Sequence, residues 1–176
     1  MKPLAALTCA NVILAIVMTF SMQSFTLPLW PMVIAWAGFF HLGGSAHPPT
    51  ALAAVLAHAV FGVFAGWLAA LAILFNPTGL SGTVWVPLVV GAAVGVMSLA
   101  SGWPRLAVLP VCVYGFAANW AYLDVPGRLD PAVLTALRAD NVIVALPLAL
   151  LIGGLFGWAN AKLIAQLSAP AARPLR

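Results

Sequence analysis

The chain of 176 residues contains no glutamate, three aspartates and seven lysines or arginines, so that only 6% of it is charged. Soluble domains carry about 25% charged residues. Ten charges cannot cover a water-facing surface, and a water-soluble globular domain is excluded. Cysteine is equally scarce. Cys9 and Cys112 both lie in apolar stretches, which excludes a disulfide framework and leaves two small hydrophobes. The basic residues Lys2, Arg105, Arg128, Arg138, Lys162, Arg173 and Arg176 stand singly, so the net charge of +4 forms no nucleic-acid surface. None of the three carboxylates falls within a long apolar run, which removes the usual groups of a proton relay. With no Ser/His/Asp grouping either, enzymatic chemistry is not expected.

What the chain does have is apolar surface: 64% of its residues are hydrophobic and its mean hydropathy is +1.11. The expected solvent is a lipid bilayer. Apolar stretches run over 4–22, 27–42, 51–75, 84–101, 105–123 and 141–167, and a span needs about 20 residues. Backbone groups in hydrocarbon must be satisfied within their own segment, so each stretch reads as a helix, and the absence of two-residue alternation argues against a barrel. The predicted fold is all-α, a polytopic bundle of about six spans forming one transmembrane domain over 1–168, with a disordered cytoplasmic tail over 169–176. The run before Cys9 is too short for a cleaved signal, and the first stretch is kept as a span. Six alternating spans put Lys2, Arg105, Lys162, Arg173 and Arg176 on one side, which places both termini in the cytoplasm. A five-span alternative drops the proline-containing second stretch and separates the ends.

The longest connection, 124–140, holds all three acids. It predicts a short surface helix from Asp130 to Arg138 with Asp130 as its cap, and Asp140 as the cap of the sixth span.

The third and sixth spans share a motif. Gly62-Val-Phe-Ala-Gly66-Trp67 matches Gly153-Gly-Leu-Phe-Gly157-Trp158 without gaps. The second and fifth are alike in kind, with Pro28 and Pro31 before Trp36-Ala-Gly38-Phe39 and Pro110 before Tyr114-Gly115-Phe116. Three helices per half would place two halves in opposite orientations, and in that plan the Gly/Pro-interrupted segments point to a midplane solute site. Pro110 is expected inside its span, removing one helix hydrogen bond there, whereas Pro31 fits a first turn. The pairs Gly62/Gly66, Gly91/Gly95 and Gly153/Gly157 present flat strips for helix packing, one of which would suit a subunit interface.

From Trp36 through Gly43-Gly44, Gly62–Trp67, Pro110 with Gly115-Phe116-Ala117, and Pro147 to Gly157, the order and spacing resemble the bacterial inner-membrane proteins of domain-of-unknown-function family 1097. The likeness covers about residues 30–166 and rests on the order of small apolar motifs. It implies a small multi-pass protein of the bacterial cytoplasmic membrane, and it transfers no catalytic or ligand residues.

Polar side chains in the spans are the candidates for function. His58 can donate, accept or carry a proton, or simply bond two helices. Asn119 and Asn160 supply amides for a neutral solute, or join helices, as Asn11 is expected to do. Lys162 and Arg105 should snorkel to the interface. Trp30, Trp85, Trp103 and Tyr122 suit interfacial belts, while Trp36, Phe39, Phe40, Trp67, Tyr114, Phe116, Trp120 and Trp158 fall deeper and would wall a passage or fill the core. His41, His47 and His58 lack metal-ligand spacing, and neither a metal nor a cofactor is expected. The candidate solute-contacting set is therefore His58, Asn119, Asn160, Trp36, Gly38, Phe39, Pro110, Tyr114, Gly115 and Phe116. Three activities fit it: a channel or facilitator for a small neutral or weakly polar solute, which is preferred and would form a homo-oligomer with one pore per subunit; a secondary transporter rocking between inverted halves; and a non-transporting accessory subunit.

Overall fold

Lipid leaves a backbone no partner but itself, and the apolar stretches are accordingly helical. The computed structural model describes residues 1–25 and 28–168. Its helices are α1 (Pro3–Phe25), α2 (Leu29–His41), α3 (Pro48–Phe75), α4 (Gly82–Ala100), α5 (Leu109–Leu123), α6 (Pro131–Thr135) and α7 (Val142–Ser168), with one turn of 3-10 helix at Pro104–Leu106 ahead of α5. The tail expected to be disordered, 169–176, lies outside the described residues.

Helices α1, α3, α4 and α7 are long and apolar enough to cross a bilayer unaided. With 13 and 15 residues, α2 and α5 are shorter. At 1.5 Å per residue they reach about 20 Å, against a hydrocarbon thickness of about 30 Å. Together with the segments leading into them they bring the bundle to about six spans. The N-terminal amine donates to the Leu167 carbonyl at 2.8 Å, so both ends of the described chain share one end of the bundle.

The packing has an exchange symmetry. Helix α3 lies on α5 and α2 lies on α7; α4 flanks α3 and α1 flanks α7; α3 meets α7, and α2 meets α5. Swapping α1, α2 and α3 for α4, α5 and α7 leaves this set of neighbours unchanged. Because each half holds three helices, alternating passage turns the second half upside down relative to the first. The central four, α2, α3, α5 and α7, enclose an apolar cluster that includes Ala35, Phe39, Val63, Val111, Leu146 and Leu150. Outer faces of α1 and α4, with Leu4, Phe20 and Leu99 exposed, are left to lipid.

Several sequence expectations require correction. Pro110 does not interrupt a span. It occupies the first turn of α5, where an amide N–H would find no helical partner anyway. The prolines inside helices are Pro87 in α4 and Pro147 in α7. Arg105 precedes α5 and belongs to the 3-10 turn. The surface helix stops at Thr135, capped by the Asp130 carboxylate, which accepts from Ala132 N at 2.8 Å. The cap of α7 is Asn141, whose Oδ1 accepts from Ile143 N at 3.1 Å; Asp140 instead pairs with Arg138 at 3.0 Å.

Gly91 and Gly95 pack against none of the described residues. Both are exposed on α4, and a Cβ added at either would meet nothing within 4 Å. Gly91→Ala and Gly95→Ala are therefore expected to leave the melting temperature in detergent unchanged or slightly raised, since alanine is favoured in a helix by about 1 kcal/mol.

Candidate functional site

With no hydrophobic force between helices in lipid, close contact depends on small residues that let backbones approach. Along α3, a methyl added at Gly62 would overlap the Cys112 carbonyl, and one at Gly66 would press on the Asn119 side chain; from α5, one at Gly115 would overlap the Ala59 carbonyl. Along α7, a methyl at Gly153 would overlap the Met32 carbonyl and one at Gly157 would press on the Phe39 ring. The two contacts are the same contact made twice. In this register Met32 takes the place of Cys112, and Phe39 that of Asn119. The resemblance read from the sequence, which set Gly38 beside Gly115, is displaced by about one helical turn from it.

His58 acquires a structural explanation from the same register. It is 4% exposed, with Nδ1 at 2.7 Å from the Ala54 carbonyl and Nε2 accepting from Val108 N at 3.2 Å. The Ala54 carbonyl can only accept, so Nδ1 carries the proton and the ring is a neutral donor and acceptor, both capacities used. Helix α5 thus starts about ten residues along α3, on the order of 15 Å from the α3 N-terminus. A helix starting at such depth exposes orphan N–H groups. Pro110 removes one of them and His58 accepts another. In the first half, continuing the register, Pro28 stands where Val108 does and has no N–H, and the residue facing it is Ala149, not histidine. Histidine is present where proline is not.

His58→Ala should cost about 1–3 kcal/mol by leaving the Val108 amide unpaired. His58→Gln, which keeps an acceptor, should recover part of that loss. Unfolding in mixed micelles, together with hydrogen exchange at Val108, measures both.

Asn119 has no such partners. It is 0% exposed, and among the described residues neither its oxygen nor its nitrogen has a hydrogen-bond partner. Its neighbour Trp120 also leaves Nε1 unpartnered. Asn160 donates to Asn11 Oδ1 at 2.6 Å, tying α7 to α1, while its own oxygen is unpaired.

The remaining candidates do not gather around one gap. Gly38 faces Val55 and Val111, bringing α2, α3 and α5 into apolar contact. Phe39 is fully buried, with its ring edge-on to Phe40 at 5.3 Å. Trp36 packs in a separate cluster with Met18, Met32 and Ala149. Tyr114 meets the exposed His41 edge-on at 5.9 Å, and Phe116 lies against Trp120 at 6.0 Å. Pro110 is exposed. Among the described residues no group of three potential metal ligands comes together.

Other aromatic expectations also shift. Trp67 Nε1 donates to the Leu134 carbonyl at 3.0 Å in the 124–140 connection, and Trp158 has Lys162 Nζ at 5.1 Å from its ring centre, so both are tied to polar groups. Trp85 holds α4 to α3 through the Ala72 carbonyl at 2.9 Å. The buried Tyr122 hydroxyl donates to the Asp140 carbonyl at 3.0 Å. Sequence reasoning missed Asn141, whose amide donates to the Leu134 and Ala136 carbonyls and anchors the connection. An asparagine at the border of a span gave no signal to separate it from a loop residue.

This geometry defines a multi-pass membrane protein made of two exchanged three-helix halves, with polar side chains concentrated at one of its two equivalent central contacts. The chain matches the family described as "Protein of unknown function (DUF1097)" over residues 6–165, and it belongs to that family. No curated protein and no solved structure matches it.

Proposed function

We propose that this protein carries a small neutral or weakly polar solute across the bacterial cytoplasmic membrane by alternating the arrangement of its two halves, with both chain ends on the cytoplasmic side. The observation that carries the reading is the unpartnered Asn119 amide. A buried polar group without a hydrogen bond costs about 1–3 kcal/mol, and an amide in a span that bonds no neighbouring helix is a candidate for contact with a solute. At the equivalent contact the chain fits a phenyl ring, Phe39, with no such penalty. An amide tolerated at that cost is explained if another arrangement of α3 and α5 offers it a partner, and a neutral solute requires no counter-charge there.

Alternation is favoured over a standing pore because α2 and α5 are in direct apolar contact through Gly38, Val55 and Val111. A solute passing between them must part them. Reconstituted protein should show saturable uptake and counterflow for at least one member of a panel of small amides, polyols and amino alcohols. Linear, non-saturating flux would identify a channel instead. Absence of flux above empty vesicles across the panel would favour the accessory-subunit reading.

A further inference from the structure

A crevice of about 730 Å³ opens between α4 and α5 at the end of the bundle that carries the 124–140 connection. Val86 and Val90 form one wall, Phe116 and Trp120 the other, and the segment from Asp124 to Leu129 closes the end. Its size is that of a ligand pocket, commonly about 300–1,000 Å³. The α4 surface on that side is apolar and exposed, with Val86 38% and Val94 41% accessible, so the crevice is continuous with the face that lipid covers. A smaller cavity of about 280 Å³ adjoins it, sharing Ala121 and Val125, and is lined by Arg128 and the exposed Trp30.

The two cavities carry opposite charges at their rims. Asp124 lines the first and Arg128 the second. Although four residues apart on one loop, they do not pair with each other; the ion pair among the described residues is Arg138 with Asp140. Arg128 is fixed in place, its guanidinium 3.8 Å from the Tyr122 ring centre and its Nη1 donating to the Tyr122 carbonyl at 3.5 Å. An exposed tryptophan and an arginine beside an apolar surface are the side chains of a membrane–water interface.

We propose that this crevice holds one phospholipid bearing a primary ammonium. An acyl chain lies between Val86, Val90, Phe116 and Trp120, the headgroup reaches across the rim at Ala121 and Val125 into the adjoining cavity, where the phosphate faces Arg128, and the ammonium donates to the Asp124 carboxylate. Guanidinium–phosphate and ammonium–carboxylate contacts are both charge-assisted hydrogen bonds. A quaternary choline headgroup cannot make the second, and a glycerol headgroup brings no cation for Asp124. The proposal does not rest on solute transport, since it makes no use of Asn119.

Native mass spectrometry of the detergent-purified protein, offered equal amounts of phosphatidylethanolamine, phosphatidylcholine and phosphatidylglycerol with identical chains, tests it. The wild type should retain about one phosphatidylethanolamine per chain in preference to the other two. Asp124→Asn should weaken that preference about threefold, the scale of one exposed ion pair, without altering phosphatidylglycerol retention. Arg128→Gln should weaken retention of all three, and Val86→Trp, which narrows the acyl-chain path between α4 and α5, should weaken it as well. Helicity and melting temperature of each variant establish that it is folded. The rise in melting temperature on adding phosphatidylethanolamine gives a second readout, and it should shrink in Asp124→Asn. Equal retention of the three lipids by the wild type, an unchanged preference in folded Asp124→Asn, or a dimer that Val86→Trp dissociates would each overturn the proposal.

Discussion

Gly62→Ala is expected to destabilise the protein by at least about 3 kcal/mol, beyond the usual range for a single added methyl in a packed core. The new Cβ would overlap the Cys112 carbonyl of α5 and crowd the Phe116 amide, and both are backbone atoms of a helix. No side chain can turn aside to make room. Only a separation of α3 from α5 relieves the overlap, and this loses the close packing that joins the halves. Gly153→Ala repeats the experiment at the other contact, against the Met32 backbone of α2, and should cost a similar amount. Titrating each variant from mixed micelles with denaturing detergent gives the loss directly. Gly91→Ala is the control, because it adds the same methyl to a similar glycine that faces outward. A small effect at both Gly62 and Gly153 would mean that the halves do not meet backbone to backbone.

The second large effect is expected at Asn119, and it separates a functional amide from a structural one. Leucine has the same branched outline and no polar atoms. Because neither atom of the Asn119 amide is bonded, Asn119→Leu should leave stability unchanged or raise it by about 1 kcal/mol. The same substitution should reduce saturable solute flux in proteoliposomes by tenfold or more, the loss of about 1.4 kcal/mol or more of stabilisation during passage. An amide that joined helices would behave in the opposite way, with stability falling and flux following it. Phe39→Leu serves as comparison at the equivalent place in the first half. It removes buried ring volume, so it should lower stability with no selective effect on flux.

Much of the fold is legible in the sequence because hydrocarbon allows so few answers. The edges of α1, α3, α4 and α7 fall within a few residues of the apolar runs, since the bilayer dictates both length and hydrogen bonding. The start of α5 is less legible. Residues 105–108 are apolar enough to continue the run, yet they form a tight turn and a non-helical lead, and the tertiary partner His58, together with Pro110, makes that start tolerable in the membrane. Proline likewise marked a boundary and not a break at Pro110.

The candidate site is harder to read for a different reason. The matching Gly-x-x-x-Gly-Trp segments reveal a duplication, but residue spacing alone does not tell which neighbour a glycine strip meets. Gly91 and Gly95 have the same spacing as Gly62 and Gly66 and face nothing among the described residues. Correspondence between α2 and α5 is nearly invisible in the sequence, because the equivalent positions have diverged to Phe39 and Asn119, or Met32 and Cys112. The role of His58 depends on that correspondence, and so does the contrast that singles out Asn119.

Those divergent pairs have a consequence for how the chain must enter the membrane. A duplicated protein whose halves were interchangeable would be indifferent to insertion in either sense, since turning it over would restore the original object. Here the histidine and the unbonded amide both lie along α3 and α5, while Ala149 and Phe39 occupy the matching places along α7 and α2. Turned over, the chain would offer its polar seam to the opposite compartment. Topology is therefore part of the specification of this protein.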